Sequence, residues 1–295
     1  MIITTLNNSE KLAKKIAKTL EVPFSKTKVD SFPDGDLYLR YGKDVAKETV
    51  VIVESFQPNS NEALLNMIFA AETARDLKAK KVILVCPYLA FMRQDKRFKS
   101  GEAINAQIMS KLINNSFDKI ITVDPHLHRI PKMKDIFTCS AVNLTSNHVI
   151  AQFIKKKFKN IAVIGPDWES YQWADEISAE IGVEDTVLEK DRHNYRNVDV
   201  TVTKQIDMTG KNIVIVDDII STGNTMIKAA QKAKKLGAKT VNAIGVHGLF
   251  VENGLKKMEK YFDSIYTVNT IEHETNKIDI TPVIVKELEK HMPKK

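Results

Sequence analysis

Two adjacent aspartates, Asp217 and Asp218, stand between an uncharged β-branched run at 213–216 and a group of small and hydroxyl-bearing residues. That group, just before a helical pattern begins, consists of Ser221, Thr222, Gly223, Asn224 and Thr225. A helix start leaves backbone N–H groups free to face an anion. Carboxylates at the C-terminal end of a parallel strand can accept hydrogen bonds from ribose hydroxyls. The sequence therefore predicts a strand–loop–helix site for a sugar phosphate; a capped helix after an acidic strand end would explain only one of the hydroxyl residues.

Cationic side chains recur in two further segments. Lys190 and Arg192 are two residues apart, so on a strand they lie on one face and can converge on one phosphate group. Residues 88–100 have little regular pattern and contain four cations, Arg93, Lys96, Arg97 and Lys99. Such a loop could close over a polyphosphate. Taken singly, the first segment is better explained as an exposed charged strand or loop, and the second could be a solvated basic loop.

Residues 32–36 read Phe-Pro-Asp-Gly-Asp. Phe32 offers a ring face to a nucleotide base, and Asp36 offers an acceptor to an amino group. A plain Pro-Asp-Gly turn explains the same residues and is the better explanation when the segment is taken alone.

Short β-branched runs alternate with amphipathic helical stretches along the whole chain, which favours an α/β protein with mainly parallel sheets. The predicted strands cover 49–53, 82–85, 119–123, 160–164, 213–216 and 240–246, and the clearest helices cover 62–77 and 225–236. Residues 50–55 (VVIVES) resemble residues 213–218 (IVIVDD), and each run is followed by a loop, a helix, an Ala-Lys pair and another strand. The similarity favours two related halves, although any two β-α-β units look alike. We place the domains at 1–145 and 146–295.

The composition of the 295 residues, 43% hydrophobic and 27% charged, is that of a folded globular protein. The longest apolar run, 82–92, is far shorter than the roughly 20 residues of a membrane span, so no membrane partner is expected. Two cysteines without metal-like spacing, and an N-terminus without a secretory pattern, predict a reduced cytoplasmic setting. The net charge of +7 permits anionic partners. The lysines are dispersed on helices and no zinc-finger or RNP-like motif occurs, so nucleic acid is not expected.

The motifs, in their order, resemble those of ribose-phosphate diphosphokinases (PRPP synthetases). The 217–225 run resembles the phosphoribosyl-diphosphate motif of the type I phosphoribosyltransferase fold. Residues 32–36 resemble the family's FPDGE-type nucleotide motif, and Arg93-Gln94-Asp95 its flexible loop. Residues 124–126, 164–167 and 190–192 resemble its Asp-Leu-His, Ser-Pro-Asp and Lys-x-Arg elements. The chain departs from the family pattern at Asp36, Pro125 and Ser221, which replace Glu, Leu and Asp.

The resemblance implies two type I phosphoribosyltransferase-like domains, the first degenerate, and transfer of the β,γ-diphosphoryl group of ATP to ribose 5-phosphate. It implies Mg²⁺ bound by His126 and Asp167, and catalysis by Lys190 and Arg192. The implied nucleotide-binding residues are Phe32, Asp34, Gly35, Asp36, Arg93 and Gln94. The implied ribose 5-phosphate residues are Arg192, Asp217, Asp218, Ser221, Thr222, Gly223, Asn224 and Thr225. A homo-oligomer with the nucleotide site at a subunit interface is also implied. Residues 247–250 (HGLF) resemble the family's Thr-His-Gly-Ile-Phe segment, and we assign them no chemistry.

Two other functions share part of this pattern. A phosphoribosyltransferase that consumes phosphoribosyl diphosphate needs the 217–225 run but neither the Arg-Gln-Asp loop nor the Lys-x-Arg element. A non-catalytic regulatory relative would be expected to lose catalytic positions, whereas His126, Asp167, Lys190 and Arg192 are all present.

Overall fold

The computed structural model describes residues 1–127, 132–194, 197–202 and 206–292, without the side chains of residues 169, 187–194 and 197–202. The chain forms two compact units. Unit 1 comprises Met1–Thr145, Thr270–Glu272 and Thr281–Lys295, and unit 2 comprises Ser146–Asn269 and His273–Ile280. Among the described residues, every helix is too short or too polar to reach across a bilayer.

Unit 1 is built on a parallel sheet with the strand order β1–β4–β5–β6–β7, and an antiparallel hairpin, β2–β3, stands apart from it. The strands are β1 (Ile2–Thr4), β2 (Lys28–Ser31), β3 (Leu37–Arg40), β4 (Thr49–Val53), β5 (Lys81–Cys86), β6 (Lys119–Val123) and β7 (Ser140–Leu144). The helices before unit 2 begins are α1 (Glu10–Leu20), α2 (Ser60–Asp76) and α3 (Asn105–Ser116), with a 3-10 turn at Met133–Asp135. Strands β4 and β5 are buried almost throughout because they consist mainly of uncharged Val, Ile and Leu.

Unit 2 has the strand order β10–β9–β8–β11–β12–β13–β14, in which only the β9–β10 pair is antiparallel within the described strands. The strands are β8 (Ile161–Gly165), β9 (Glu184–Asn194), β10 (Asn197–Val202), β11 (Asn212–Ile220), β12 (Thr240–Gly248), β13 (Ser264–Val268) and β14 (Asn276–Ile278). The helices are α4 (Asn147–Lys157), α5 (Tyr171–Ile181), α6 (Asn224–Lys235) and α7 (Gly254–Met258), with 3-10 turns at Trp168–Ser170 and Val251–Asn253. Its core joins strands β8, β11 and β12 to α6 and α7.

The two sheets share a strand order, because β1–β4–β5–β6–β7 in unit 1 corresponds to β8–β11–β12–β13–β14 in unit 2. The similar runs 50–55 and 213–218 begin on β4 and β11, the second strands of these two series. The prediction of two mainly parallel α/β domains is confirmed, and the shared order supports the internal duplication.

The prediction places all of residues 146–295 in one domain, but the last helix belongs to unit 1. Helix α8 (Thr281–Leu288), followed by a 3-10 turn at Glu289–His291, belongs to unit 1 and packs against α1. Its residues Ile284 and Leu288 are fully buried, and Glu287 forms an ion pair with the buried Lys119 of β6. The amphipathic pattern of α8 predicts that one face is buried, but it carries no information on which sheet buries it.

Candidate functional site

The acidic pair and the loop after it lie at the C-terminal end of β11 in unit 2. The predicted strand ended at residue 216, but β11 continues to Ile220 because β12 pairs with it as far as Ile220↔Gly248. Asp217 and Asp218 are therefore strand residues and not the start of a loop. The loop itself, 221–223, joins the end of this strand to α6.

Helix α6 begins at Asn224, one residue earlier than predicted. Gly223 precedes it with φ 77°, a left-handed conformation that favours glycine. In this part of the described chain, no side chain caps the start of α6. The first backbone N–H groups of a helix lack intrahelical partners and attract anions. Ser221, Thr222 and Thr225 are partly exposed beside them, so this geometry suits the phosphate of a sugar phosphate.

Two carboxylates next to the loop, Asp218 and Asp167, act on a third, Asp217. Burial, followed by the charges of Asp218 and Asp167, raises the pKa of Asp217 well above its usual range. Asp217 is partly exposed as a residue. Mutual repulsion of this kind is relieved by a cation or by hydroxyl donors. The acidic cluster therefore suits both ribose hydroxyls and a hard divalent cation.

Asp167 follows β8 and caps the 3-10 turn at Trp168–Ser170, with its Oδ1 3.3 Å from the Ser170 backbone nitrogen. Its capping role and its charge beside Asp217 are compatible, because a carboxylate has several acceptor sites. Among the described residues, no three His, Cys, Asp or Glu side chains form a ready metal site. Mg²⁺ commonly takes one or two carboxylates and completes its shell with water and substrate phosphates. Asp167 fits that requirement.

His126 lies in unit 1, just after β6, and is partly exposed. The chain bends at Asp124, which has φ 37°, and the backbone nitrogen of Asp124 donates to the Leu144 carbonyl at 2.9 Å. Pro125, which replaces the family's leucine, lies between Asp124 and His126. This turn at the C-terminal end of a parallel strand is a position where α/β sheets bind ligands.

The predicted nucleotide-binding residues of the 32–36 segment form the tip of the β2–β3 hairpin. The Phe32 nitrogen bonds to the Asp36 carbonyl at 2.8 Å, and Gly35 has φ 96°. The structure thus contains the Pro-Asp-Gly turn, with the Phe32 ring 51% exposed. A cavity of about 670 Å³ lies beside the tip, and its lining includes Gly35, Asp36, Asn66 and Phe69.

The predicted nucleotide-binding residues Arg93 and Gln94 lie in a stretch without helix or strand, as their sequence predicts. Arg93 is exposed, and the Gln94 carbonyl accepts a hydrogen bond from the Ala106 nitrogen at 3.3 Å. Lower in the same loop, the Glu102 carboxylate accepts bonds from the Phe98 and Lys99 nitrogens. The loop is therefore held by bonds within itself and by one bond to the start of α3, and Arg93 remains available to solvent.

Lys190 and Arg192 lie on β9, where they pair with Val200 and Val198 of β10. Their i and i+2 positions on one strand place them on the same face of the sheet, as the sequence predicts. Their side chains lie outside the described part of the structure.

Glu54 is a residue whose importance the sequence did not reveal. It follows β4 and corresponds to Asp217 in the aligned runs, yet its surroundings differ. Its carboxylate accepts hydrogen bonds from four donors of the β1–α1 connection: Thr5 Oγ1, Leu6 N, Asn7 N and Asn8 N, at 2.7–3.0 Å. In unit 1 this carboxylate is surrounded by hydrogen-bond donors of the same unit. In unit 2 the corresponding Asp217 has other carboxylates as neighbours. Only the alignment of 50–55 with 213–218 could have drawn attention to it.

Comparison with known proteins links both units to one family. Residues 1–116 match the N-terminal domain of ribose phosphate pyrophosphokinase, and residues 133–286 match the phosphoribosyl transferase domain. The chain is 30% identical to a ribose-phosphate pyrophosphokinase of Methanopyrus kandleri over 98% of this chain and 99% of that protein. It is 35% identical to the enzyme of the same name from Sulfolobus acidocaldarius over 96% and 97% of the two chains.

The fold has a close counterpart among solved structures. The phosphoribosylpyrophosphate synthetase of Mycobacterium smegmatis superposes with a TM-score of 0.86 at 20% identity, covering 98% of each chain. At this identity the likeness concerns the fold, and it agrees with two phosphoribosyltransferase-like halves.

Proposed function

This chain belongs to the ribose phosphate pyrophosphokinase family, and we infer that it transfers the β,γ-diphosphoryl group of Mg-ATP to the 1-hydroxyl of ribose 5-phosphate. The products are 5-phosphoribosyl 1-diphosphate and AMP. The observation that carries this inference is the full-length similarity to enzymes of that name. The uncapped start of α6 beside an acidic cluster in unit 2 supports it. A phosphoribosyltransferase alone would not account for unit 1.

The reaction is an in-line displacement. The ribose 1-hydroxyl oxygen forms a bond to the β-phosphorus, the bond from that phosphorus to the oxygen shared with the α-phosphate breaks, and AMP leaves with that oxygen. The hydroxyl proton passes to solvent. Such a transfer depends on positioning and charge neutralisation more than on covalent chemistry.

We assign the ribose 5-phosphate to unit 2. The backbone N–H groups at 223–225, with the hydroxyls of Ser221, Thr222 and Thr225, bind the 5-phosphate, and Asp217 and Asp218 accept hydrogen bonds from the ribose hydroxyls. The support for this assignment is the uncapped start of α6 and the raised pKa of Asp217, which disfavours a carboxylate without a donor or cation beside it.

Magnesium, when bound, neutralises the polyphosphate charge and polarises the β-phosphorus. Asp167 and His126 are the side chains that would hold it. Lys190 and Arg192 stabilise the negative charge that develops on the transferred group and on AMP. Arg192 also contacts the ribose phosphate. Phe32, Asp34, Gly35 and Asp36, with Arg93 and Gln94, bind the nucleotide; the exposed Phe32 ring supports that role.

We further propose a homo-oligomer in the cytoplasm, with the nucleotide site completed at a subunit interface. Unit 1 exposes large apolar side chains in i,i+4 pairs, Leu65 and Phe69 on α2 and Ile108 and Leu112 on α3. Exposed apolar patches mark interaction surfaces. Both cysteines are free thiols, as a reduced compartment requires. Sedimentation equilibrium should give at least twice the 33.3 kDa chain mass, and a single-chain mass would contradict the oligomer.

The function is tested by incubating the protein with Mg-ATP and ribose 5-phosphate and separating the nucleotides. We expect AMP in equal amount to phosphoribosyl diphosphate, and its formation to fall sharply in Lys190→Ala while ribose 5-phosphate binding persists. Lys235→Ala, an exposed lysine at the far end of α6, is the matched control. Formation of ADP would indicate an ordinary kinase, and no turnover would favour the regulatory relative.

A further inference from the structure

The loop at 221–223 lies against residues 249–258, a segment that takes no part in the proposed chemistry. The backbone nitrogens of Leu249 and Phe250 both bond to the carbonyl of Ile220, at 2.9 and 3.2 Å. Ile220 is the last residue of β11 before the loop. The 249–258 segment is therefore attached to the strand end from which the loop departs.

Gly254, the first residue of α7, touches the loop backbone. A β-carbon on Gly254 would lie 2.8 Å from the Ser221 carbonyl oxygen and 3.2 Å from the Thr222 carbonyl carbon and oxygen. The φ and ψ of Gly254 are −51° and −44°, ordinary helical values that any residue adopts. Glycine is required here for space and not for its backbone freedom.

A second contact lies at the other end of α7. A β-carbon on Gly223 would lie 2.6 Å from the Cγ and Sδ atoms of Met258, which is fully buried. The short helix α7 thus meets the loop twice, through Gly254 beneath Ser221 and Thr222 and through Met258 beneath Gly223. Each contact leaves the loop little room to move toward α7.

The path to α7 is unusual. Phe250, Glu252 and Asn253 have φ of 48°, 53° and 61°, and none of them is glycine. Such conformations persist where surrounding contacts fix them, often near functional sites. Gly248 leaves room for the Phe250 ring, since its β-carbon would lie 2.6 Å from a ring carbon. On its far side the ring packs against His273, with centroids 4.7 Å apart.

We propose that residues 249–258 position the ribose-phosphate loop, with Gly254 and Met258 as the positioning residues. This inference depends on the proposed function of the 221–225 loop. It gives the HGLF segment at 247–250 a role without chemistry. His247 is buried at the end of β12, Gly248 accommodates the ring, and Phe250 begins the turn that brings α7 against the loop.

Gly254→Ala tests the proposal. Alanine is the better helix former, so any loss in this variant comes from the space that its methyl takes and not from the helix itself. The added methyl must displace the Ser221 carbonyl. Because displacements near 1 Å can cost up to about 100-fold, we expect the KM for ribose 5-phosphate to rise on the order of tenfold. The KM for ATP should stay at the value of the control Lys235→Ala, an exposed lysine at the far end of α6. The thermal midpoint should fall somewhat, because the methyl meets backbone atoms of the loop.

Thr222→Val, measured in parallel, distinguishes the two ideas. If Thr222→Val raises the KM for ribose 5-phosphate and Gly254→Ala does not, the positioning role is overturned and the loop remains the phosphate site. If neither variant changes that KM, the proposed phosphate site fails as well. If Gly254→Ala does not fold, Met258→Leu decides, because this volume-conserving change is tolerated in cores and still alters the atoms beneath Gly223. An unchanged KM for ribose 5-phosphate in Met258→Leu would then overturn the proposal.

Discussion

Replacing Glu54 by glutamine keeps the size of the side chain, removes its charge and turns one oxygen acceptor into a donor. In the native protein Oε1 accepts from the Asn7 and Asn8 nitrogens at 2.9 and 2.7 Å. Oε2 accepts from Thr5 Oγ1 at 2.9 Å and the Leu6 nitrogen at 3.0 Å. A glutamine satisfies most donors with its oxygen toward Asn7 and Asn8, because the Thr5 hydroxyl can then rotate and accept from the amide.

The Leu6 N–H then faces another donor inside the protein. An unsatisfied buried donor costs about 1–3 kcal/mol. The two hydrogen bonds from Asn7 and Asn8 remain, but they become weaker because their acceptor is no longer charged. Part of this loss is offset, because glutamine has no charge that must be removed from water. In the native protein that cost is visible in the pKa of Glu54, which burial raises. We expect a net loss of about 2 kcal/mol in the free energy of opening this region.

Hydrogen exchange of the Leu6 amide measures this loss locally, and about 2 kcal/mol corresponds to roughly 30-fold faster exchange. Urea unfolding reports whether the loss is global. Glu62→Gln is the matched control, since Glu62 is an exposed glutamate on α2 and should change stability by less than about 0.5 kcal/mol. If Leu6 exchanges equally slowly in Glu54→Gln and in the native protein, the four-donor account of Glu54 is wrong.

Three further perturbations follow from contacts within one unit. Lys119→Met removes the buried partner of Glu287, 2.6 Å away with both side chains 6% exposed, and leaves the exposed Lys290 as the other partner; urea unfolding should show a loss of about 2 kcal/mol, recovered largely by adding Glu287→Leu. The pKa of His291 is lowered by burial and by the charge of Lys119, so the unfolded chain binds the proton first and stability falls as pH drops below about 6.5. His291→Asn should lessen that fall between pH 8 and pH 5.5, and an unchanged pH profile would contradict the assignment. Asp167→Asn should raise the magnesium concentration that gives half-maximal turnover, and an identical titration would exclude Asp167 as a ligand.

The sequence predicts the elements best where one physical signal dominates. The predicted bounds of β4 agree with the observed ones, because a short, uncharged, β-branched run favours a buried strand. Strand β11 was ended too early, because two aspartates resemble the start of a loop. The pairing with β12 that extends β11 is a tertiary contact, and the sequence of one strand does not reveal it.

The site was predictable where residue types carry the chemistry and not where backbone geometry does. The loop after Asp217 is identified by its hydroxyls and glycine. The donors around Glu54 are mostly backbone N–H groups far away in sequence, which leave no side-chain pattern. Gly254 is the first residue of a short helix, and the sequence around it does not distinguish it from a glycine that serves only flexibility.

Because α8 belongs to unit 1, a ribosome finishes the first unit last. Residues 1–145 emerge early, yet Lys119 lacks Glu287, and α1 lacks its helical neighbour, until the final residues are added. Domains generally fold as units during synthesis, the N-terminal one first. Here unit 2 is complete in sequence before unit 1 is. A chain that stops after Ile280 would contain every proposed ligand-binding residue, and its defect would lie in the half that was synthesised first.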